Sequence, residues 1–185
     1  MDQESGWPDL LDCRHQVPAP RDVDRKDLTA LKTVIDATGL FPAELLDDML
    51  SGLLAGERPE ERCRTIDYDG RSIAIAYLAP EPMTDGTSNL LLLAVHPEHQ
   101  GIGIGQLLMR DAEASLAERG ERILLVETSS LPEFERTRDF YRRLGYIQEA
   151  RIRDYYAAGE DKIVFWKALQ AQQQIHPGRD SPPTA

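Results

Sequence analysis

Apolar residues recur every three or four positions in some stretches of the chain and every second position in others, and the switches between the two periods lay out its elements. Residues 25–39, RKDLTALKTVIDATG, place Leu28, Leu31, Val34 and Ile35 at helical spacing and stop at Gly39. FPAELLDDMLSGLLAG (41–56) predicts a second helix, opened by Pro42, with Leu45, Leu46, Met49, Leu50 and Leu53 as its apolar stripe. RCRTIDYDGRSIAIAYLAP (62–80) alternates around Asp69-Gly70, a strong hairpin signal. After a loop at 80–89, LLLLAV (90–95) is a continuous apolar run and predicts a strand buried on both faces.

A helix over 104–119 turns Ile104, Leu108, Ala112 and Leu116 inward and Glu113 and Glu118 outward, and Gly120 ends it. RILLVETS (122–129) is a second buried strand, and strand–helix–strand of this length is a right-handed βαβ unit. EFERTRDFYRRLG (133–145) is a helix stopped by Gly145. Strands at 146–156 and 161–169 turn at Gly159, with the second as an edge open to pairing in a homodimer. One short strand is expected at 11–17. The order predicts an α/β fold: a mixed sheet with one parallel crossover, flanked by helices. Residues 1–20 are an extension, 21–169 the domain, and 170–185, polar with prolines, a disordered tail. No internal repeat is visible.

A chain of 185 residues, 41% hydrophobic and 29% charged, is long enough to bury one core. No apolar run approaches the length of a membrane span, and the acidic start lacks the pattern of a secretory signal, so the cytoplasm is the expected compartment. Twenty-one basic residues against 32 acidic ones give a net charge of −11. That field argues against nucleic acid and anionic membranes as partners and suits a cationic amine, or serves solubility alone. Cys13 and Cys63 are expected as free thiols. No metal is expected, since His96 and His99 flank a proline without further ligands at metal-binding spacing.

The chemistry concentrates in HPEHQGIGIGQLLM (96–109), where Gly101, Gly103 and Gly105 lead directly into a helix. A helix N-terminus offers unpaired amide hydrogens and a positive dipole end, and glycines let an anion reach the backbone. Gln106 and Leu107 stand where a P-loop needs Lys and Ser or Thr, which excludes nucleotide triphosphate hydrolysis of that kind. A dinucleotide GxGxxG fails as well, because its third glycine position is Gln106 and five residues separate the strand from the glycines.

Gln100, Gly103 and Gly105 fit Q-x-x-G-x-G, and with RDFYRRLGY (138–146) they closely resemble the GNAT superfamily of N-acetyltransferases. The resemblance runs over about 27–168 in element order and is sharp over 90–146. It implies a splayed central sheet with acetyl-CoA as co-substrate. Leu93, Ala94 and Val95 would bond the pantetheine arm, and Gly101, Ile102, Gly103, Ile104, Gly105 and Gln106 would hold the diphosphate. It implies acetyl transfer to a primary amine, in a small molecule or a peptide, by direct attack in a ternary complex. A non-catalytic acyl-CoA-binding module is the alternative. Tyr141 is the expected acid for the leaving thiolate, against a role as a core aromatic. Glu127, at a strand end, is the candidate base and equally a salt-bridged carboxylate. Phe41 and Tyr155, with Leu40 and Tyr156, line the acceptor site or simply pack. Arg138, Arg142 and Arg143 form a solvated face or steady a CoA phosphate. The asparagine that many members carry after the glutamate is missing from TSSLPEFERTR, where Ser129 and Ser130 are the available substitutes.

Overall fold

The computed structural model describes residues 18–169. Seven strands form one sheet: β1 (Arg21–Asp22), β2 (Arg62–Tyr68), β3 (Arg71–Pro80), β4 (Thr87–Val95), β5 (Ile123–Ser129), β6 (Ile147–Ala157) and β7 (Glu160–Ala168). Their spatial order is β1-β2-β3-β4-β5-β7-β6. Only β4 and β5 run parallel, joined through α3 (Ile104–Glu118) as the sequence predicts. Helices α1 (Leu28–Thr38) and α2 (Leu45–Leu54) cover one face, and α3 with α4 (Glu135–Arg143) cover the other.

Strand alternation divides the core between these faces. Leu90, Leu124, Val126, Ile163 and Phe165 pack with Ile104, Leu108, Ala112 and Leu116 of α3 and with Tyr141 of α4. Ile75, Tyr77, Leu92 and Ala94 pack with Leu31, Val34 and Ile35 of α1 and Leu46 and Leu50 of α2.

Several expectations are corrected. α2 begins at Leu45, because residues 42–44 form a turn closed by the Leu45 amide on the Pro42 carbonyl (3.0 Å); Leu45 itself is 51% exposed. β7 is not an edge strand: it lies between β5 and β6, so the homodimer surface expected on it is occupied, and β6 forms the edge. Glu113 does not face solvent freely, since it accepts hydrogen bonds from Tyr146 Oη (2.9 Å) and Lys167 Nζ (2.7 Å). The first described strand is β1; the expected strand at 11–17, Cys13 and the tail at 170–185 lie outside the described residues. Cys63 is a buried free thiol, and no described helix is long and apolar enough to cross a membrane.

β4 is also not buried throughout. Tyr77 pairs with Leu92 and Leu78 with Leu90, which leaves Leu91 as a bulge residue, 52% exposed. Bulges sharpen local twist and end ladders. Here the parallel β4–β5 ladder stops at Leu90 and Val126, although β4 continues along β3 to Val95 and β5 along β7 to Ser129. The sheet is therefore splayed, and the β5-facing backbone edge of residues 91–95 has no strand beside it among the described residues.

Away from the splay, an ion-pair network ties the start of the domain to the sheet. Arg21 donates to Asp27 (2.7 and 2.8 Å) and to Asp67 (2.8 Å), and Asp27 also accepts the Asp24 amide (2.8 Å). The Arg21 guanidinium holds the Asp27 carboxyl below its ordinary range; burial opposes this and the Asp24 amide adds to it. Asp27→Asn is expected to reduce stability by about 1–2 kcal/mol at neutral pH, allowing for solvent at Arg21. Because the folded carboxyl titrates below the unfolded one, this contribution is complete above the unfolded value. The gap between wild type and variant closes as pH falls below 3.8. Denaturant melts at pH 7 and pH 3 check it.

Candidate active site

The turn from β4 into α3 builds one wall of a cleft. Pro97–His99 forms a single 3₁₀ turn, and Gln100 Nε2 donates back to the Val95 carbonyl (2.9 Å), bracing the loop on the strand end. Gly103 is the N-cap of α3 at φ +96°, a conformation that L side chains avoid, and no side chain caps the helix. The first helical bond of α3 runs from the Leu107 amide to the Gly103 carbonyl (3.0 Å), so the amides of Ile104, Gly105 and Gln106 precede the ladder and point outward. A Cβ on Gly105 would stand 3.4 Å from the Phe140 ring and 3.6 Å from Val95, which is how α3 comes close to α4 and β4 at this point.

The cleft holds about 450 Å³ and is lined by Leu93, Val95, Gly101, Gly103, Ile104, Gly105, Gln106 and Tyr141. Most of the residues expected at the co-substrate therefore share one cavity. Ala94 contributes no side chain to it, being turned into the α1–α2 core, and Ile102 is exposed beside it. Phe41, Glu127 and Tyr155 lie outside it. Phe41 is half-buried against the α1–α2 core, and Glu127, adjacent to inward Val126, points to that same side of the sheet.

Tyr141 is 5% exposed and packed among the rings of Phe140, Tyr146 and Phe165 at 5.2–5.9 Å. Burial pushes its phenol well above the ordinary range, so the hydroxyl keeps its proton. The nearby Tyr146 hydroxyl donates to Glu113, whereas the Tyr141 hydroxyl has no hydrogen-bond partner among the described residues. That hydroxyl is therefore free to donate to a group that enters the cleft.

On the other side of the splay, Glu127 Oε2 accepts a bond from Lys162 Nζ at 2.7 Å, so the carboxylate is ion-paired. Lys162 is 7% exposed, and its ammonium stands 3.7 Å from the Tyr155 ring centroid. Burial works to lower the Lys162 pKa, but the bond to Glu127 and the neighbouring Tyr155 prevail and raise it. A wide irregularity in β6 creates this stacking: Ile152 pairs with Lys162 and Ala157 with Glu160, so residues 153–156 bow out. Asp161 secures the bow by accepting the Asp154 amide (2.8 Å) and the Arg151 guanidinium.

The arginines of α4 divide in a way the sequence reading missed. Arg138 is buried and donates to the Ser129 and Leu131 carbonyls (2.6 and 2.9 Å), so it belongs neither to a solvated face nor to a phosphate site. Arg142 pairs with Glu135 and Asp139. Arg136 and Arg143 line the cleft and have no ion-pair partner among the described residues. Arg136 lies four residues before Phe140, which also lines the cleft, a spacing that would have found it. The hydroxyls of Ser129 and Ser130 accept the Leu131 and Asp161 amides and thereby hold the β5–α4 loop.

Other proteins share this architecture. The profile of the GNAT acetyltransferase domain matches residues 59–148. An uncharacterized N-acetyltransferase of Methanocaldococcus jannaschii is 32% identical over 104 residues, 55% of this chain and 62% of the relative, so the chain spans less than two thirds of that protein's length. A crystal structure described as a GNAT-family acetyltransferase from Desulfovibrio desulfuricans superposes with a TM-score of 0.77 at 29% identity, covering 83% of this chain and 99% of the other. An aminoglycoside 6′-N-acetyltransferase solved with coenzyme A has a TM-score of 0.66 at 17% identity over 82% and 97% of the two chains, a likeness of fold. The parallel pair that parts at Leu90, the glycine turn and these matches agree: residues 59–148 match the GNAT acetyltransferase domain, and the fold is that of a GNAT-family acetyltransferase structure.

Proposed function

We propose that the protein transfers the acetyl group of acetyl-CoA to a primary amine by direct attack in a ternary complex. The observation that carries this reading is the unpartnered, protonated hydroxyl of Tyr141 in the cleft that begins at the α3 N-terminus. The diphosphate would rest on the amides of residues 101–106, with Arg136 and Arg143 as cations on the same cleft. The pantetheine arm would bond the open edge of Leu93, Ala94 and Val95 like an added strand. This brings the thioester to the splay from the α3–α4 side, while Phe41, Tyr155 and Glu127 receive the acceptor from the α1–α2 side.

A neutral amine attacks the thioester carbonyl, a C–N bond forms, and the C–S bond breaks. Tyr141 gives its proton to the departing thiolate. The nitrogen, acidic once it has attacked, releases its proton to Glu127 directly or through water, and this returns to Tyr141 through solvent. Cys63 does not enter the scheme: it is buried on the far side of the sheet from the cleft, and burial raises its thiol well above the reactive range.

Calorimetry with acetyl-CoA, followed by mass spectrometry of amines and peptides incubated with labelled acetyl-CoA, tests the reading. Binding with an acetylated product is expected. Binding without a product in any amine would favour a non-catalytic acyl-CoA module, and no binding would overturn both.

A further inference from the structure

The pair formed by Lys162 and Glu127 bears on which amines the acceptor side can take. We propose that the acceptor is a weakly basic amine, the α-amino group of a peptide or amino acid, and that Lys162 sets this preference by occupying Glu127. The inference rests on the transferase reading and narrows its substrate class.

The acceptor must lose a proton before it attacks. A lysine side chain titrates near 10.4 and an α-amino group near 7.8, so at pH 7.5 the neutral fraction of the α-amine is larger by about 10²-fold. A free carboxylate beside the thioester would narrow that gap by removing the ammonium proton. Glu127 is not free in this way: Lys162 Nζ donates to it at 2.7 Å. An acceptor ammonium cannot readily displace Lys162, because that side chain is almost fully buried and its charge rests against the Tyr155 ring 3.7 Å away. A strongly basic acceptor would also bring its positive charge next to the Lys162 ammonium, a like-charge contact in a partly desolvated place. The −11 net charge draws cations to the protein as a whole, but at this position the nearest charges form a neutral pair. An amine that is substantially neutral in solution avoids both difficulties. After attack its nitrogen is acidic enough for a paired carboxylate or water to suffice.

Two peptides of one sequence test the idea, one with a free α-amine and no lysine, the other blocked at its N-terminus and carrying a single lysine. Wild type is expected to acetylate the first with at least about tenfold higher kcat/KM at pH 7.5, the residue of the 10²-fold population difference. Lys162→Met, which keeps the length and loses the charge, is expected to narrow that ratio severalfold by favouring the lysine peptide, with the KM for acetyl-CoA unchanged. Lys162→Arg keeps the cation and should keep the ratio. An equal or faster rate on the lysine peptide in wild type overturns the inference, as does a Lys162→Met enzyme in which both peptides change in the same proportion. Should Lys162→Met fail to fold, the wild-type ratio and Lys162→Arg still decide. Acetylation of some panel amine but of neither peptide overturns the inference alone. Acetylation of nothing overturns the transferase reading with it.

Discussion

A Tyr141→Phe enzyme is expected to lose about 10²-fold or more in kcat while its Kd for acetyl-CoA stays close to that of wild type. The change removes one oxygen and no packing: the ring remains held by Phe140, Tyr146 and Phe165. A hydroxyl that donates to nothing else in the described structure contributes little to folding, so thermal stability should hold or rise slightly. The proton it supplies matters only as the thioester breaks, so the loss falls on the rate and not on ground-state binding. Tyr146→Phe makes the matching control. Its hydroxyl donates to Glu113 at 2.9 Å, and losing that bond should lower stability by about 1 kcal/mol with a much smaller effect on kcat. Steady-state kinetics and calorimetry on the two variants check the pair of expectations. A Tyr141→Phe enzyme with wild-type kcat would remove the residue from the chemistry and leave the thiolate to be protonated by water.

The features legible in the sequence are those encoded by neighbours along the chain. The α3 stripe of Ile104, Leu108, Ala112 and Leu116, the Asp69-Gly70 hairpin and the glycine turn ahead of a helix each lie within one or two elements, and the structure contains all three. Seven of the nine residues expected around the co-substrate line the cleft with Tyr141 or flank it as backbone. What was not legible depends on register between strands far apart in sequence. Whether β6 or β7 becomes the edge is decided by which of them pairs with β5, and both carry comparable apolar and charged residues. Leu91 reads as one more residue of a buried run, and only the Tyr77–Leu92 and Leu78–Leu90 pairings expose it as the bulge where the sheet parts. The partner of Glu127 is 35 residues away: Lys162 sits diagonally across the β5–β7 ladder, where Ser129 is its direct neighbour. Arg138 shows the same limit from the other direction, since its helical position suggests solvent, whereas besides Glu135 on its own helix its partners are the carbonyls of Ser129 and Leu131.

Gly103→Val is expected to weaken acetyl-CoA binding by at least about tenfold, and the reason separates two duties of that glycine. Its φ of +96° makes any L residue strained, by about 1–2 kcal/mol, and a β-branched one more so. A Cβ at this position meets no protein atom within 4 Å, because it projects into open space on a residue that lines the cleft. Folding strain and obstruction of the ligand therefore arise from the same substitution, and a control has to part them. Gly120, just beyond the far end of α3, has φ +85° and likewise no atom within 4 Å of an added Cβ, but it does not line the cleft. Gly120→Val should then lower the melting temperature by a comparable amount and leave the affinity for acetyl-CoA unchanged. If the two variants lose affinity equally, the effect comes from a loosened α3 and the amides of residues 101–106 are not the diphosphate seat. If Gly103→Val alone loses affinity, the turn is an anion cradle whose exposed backbone a side chain obstructs, which places the donor on the side of the sheet where Tyr141 waits for the sulfur.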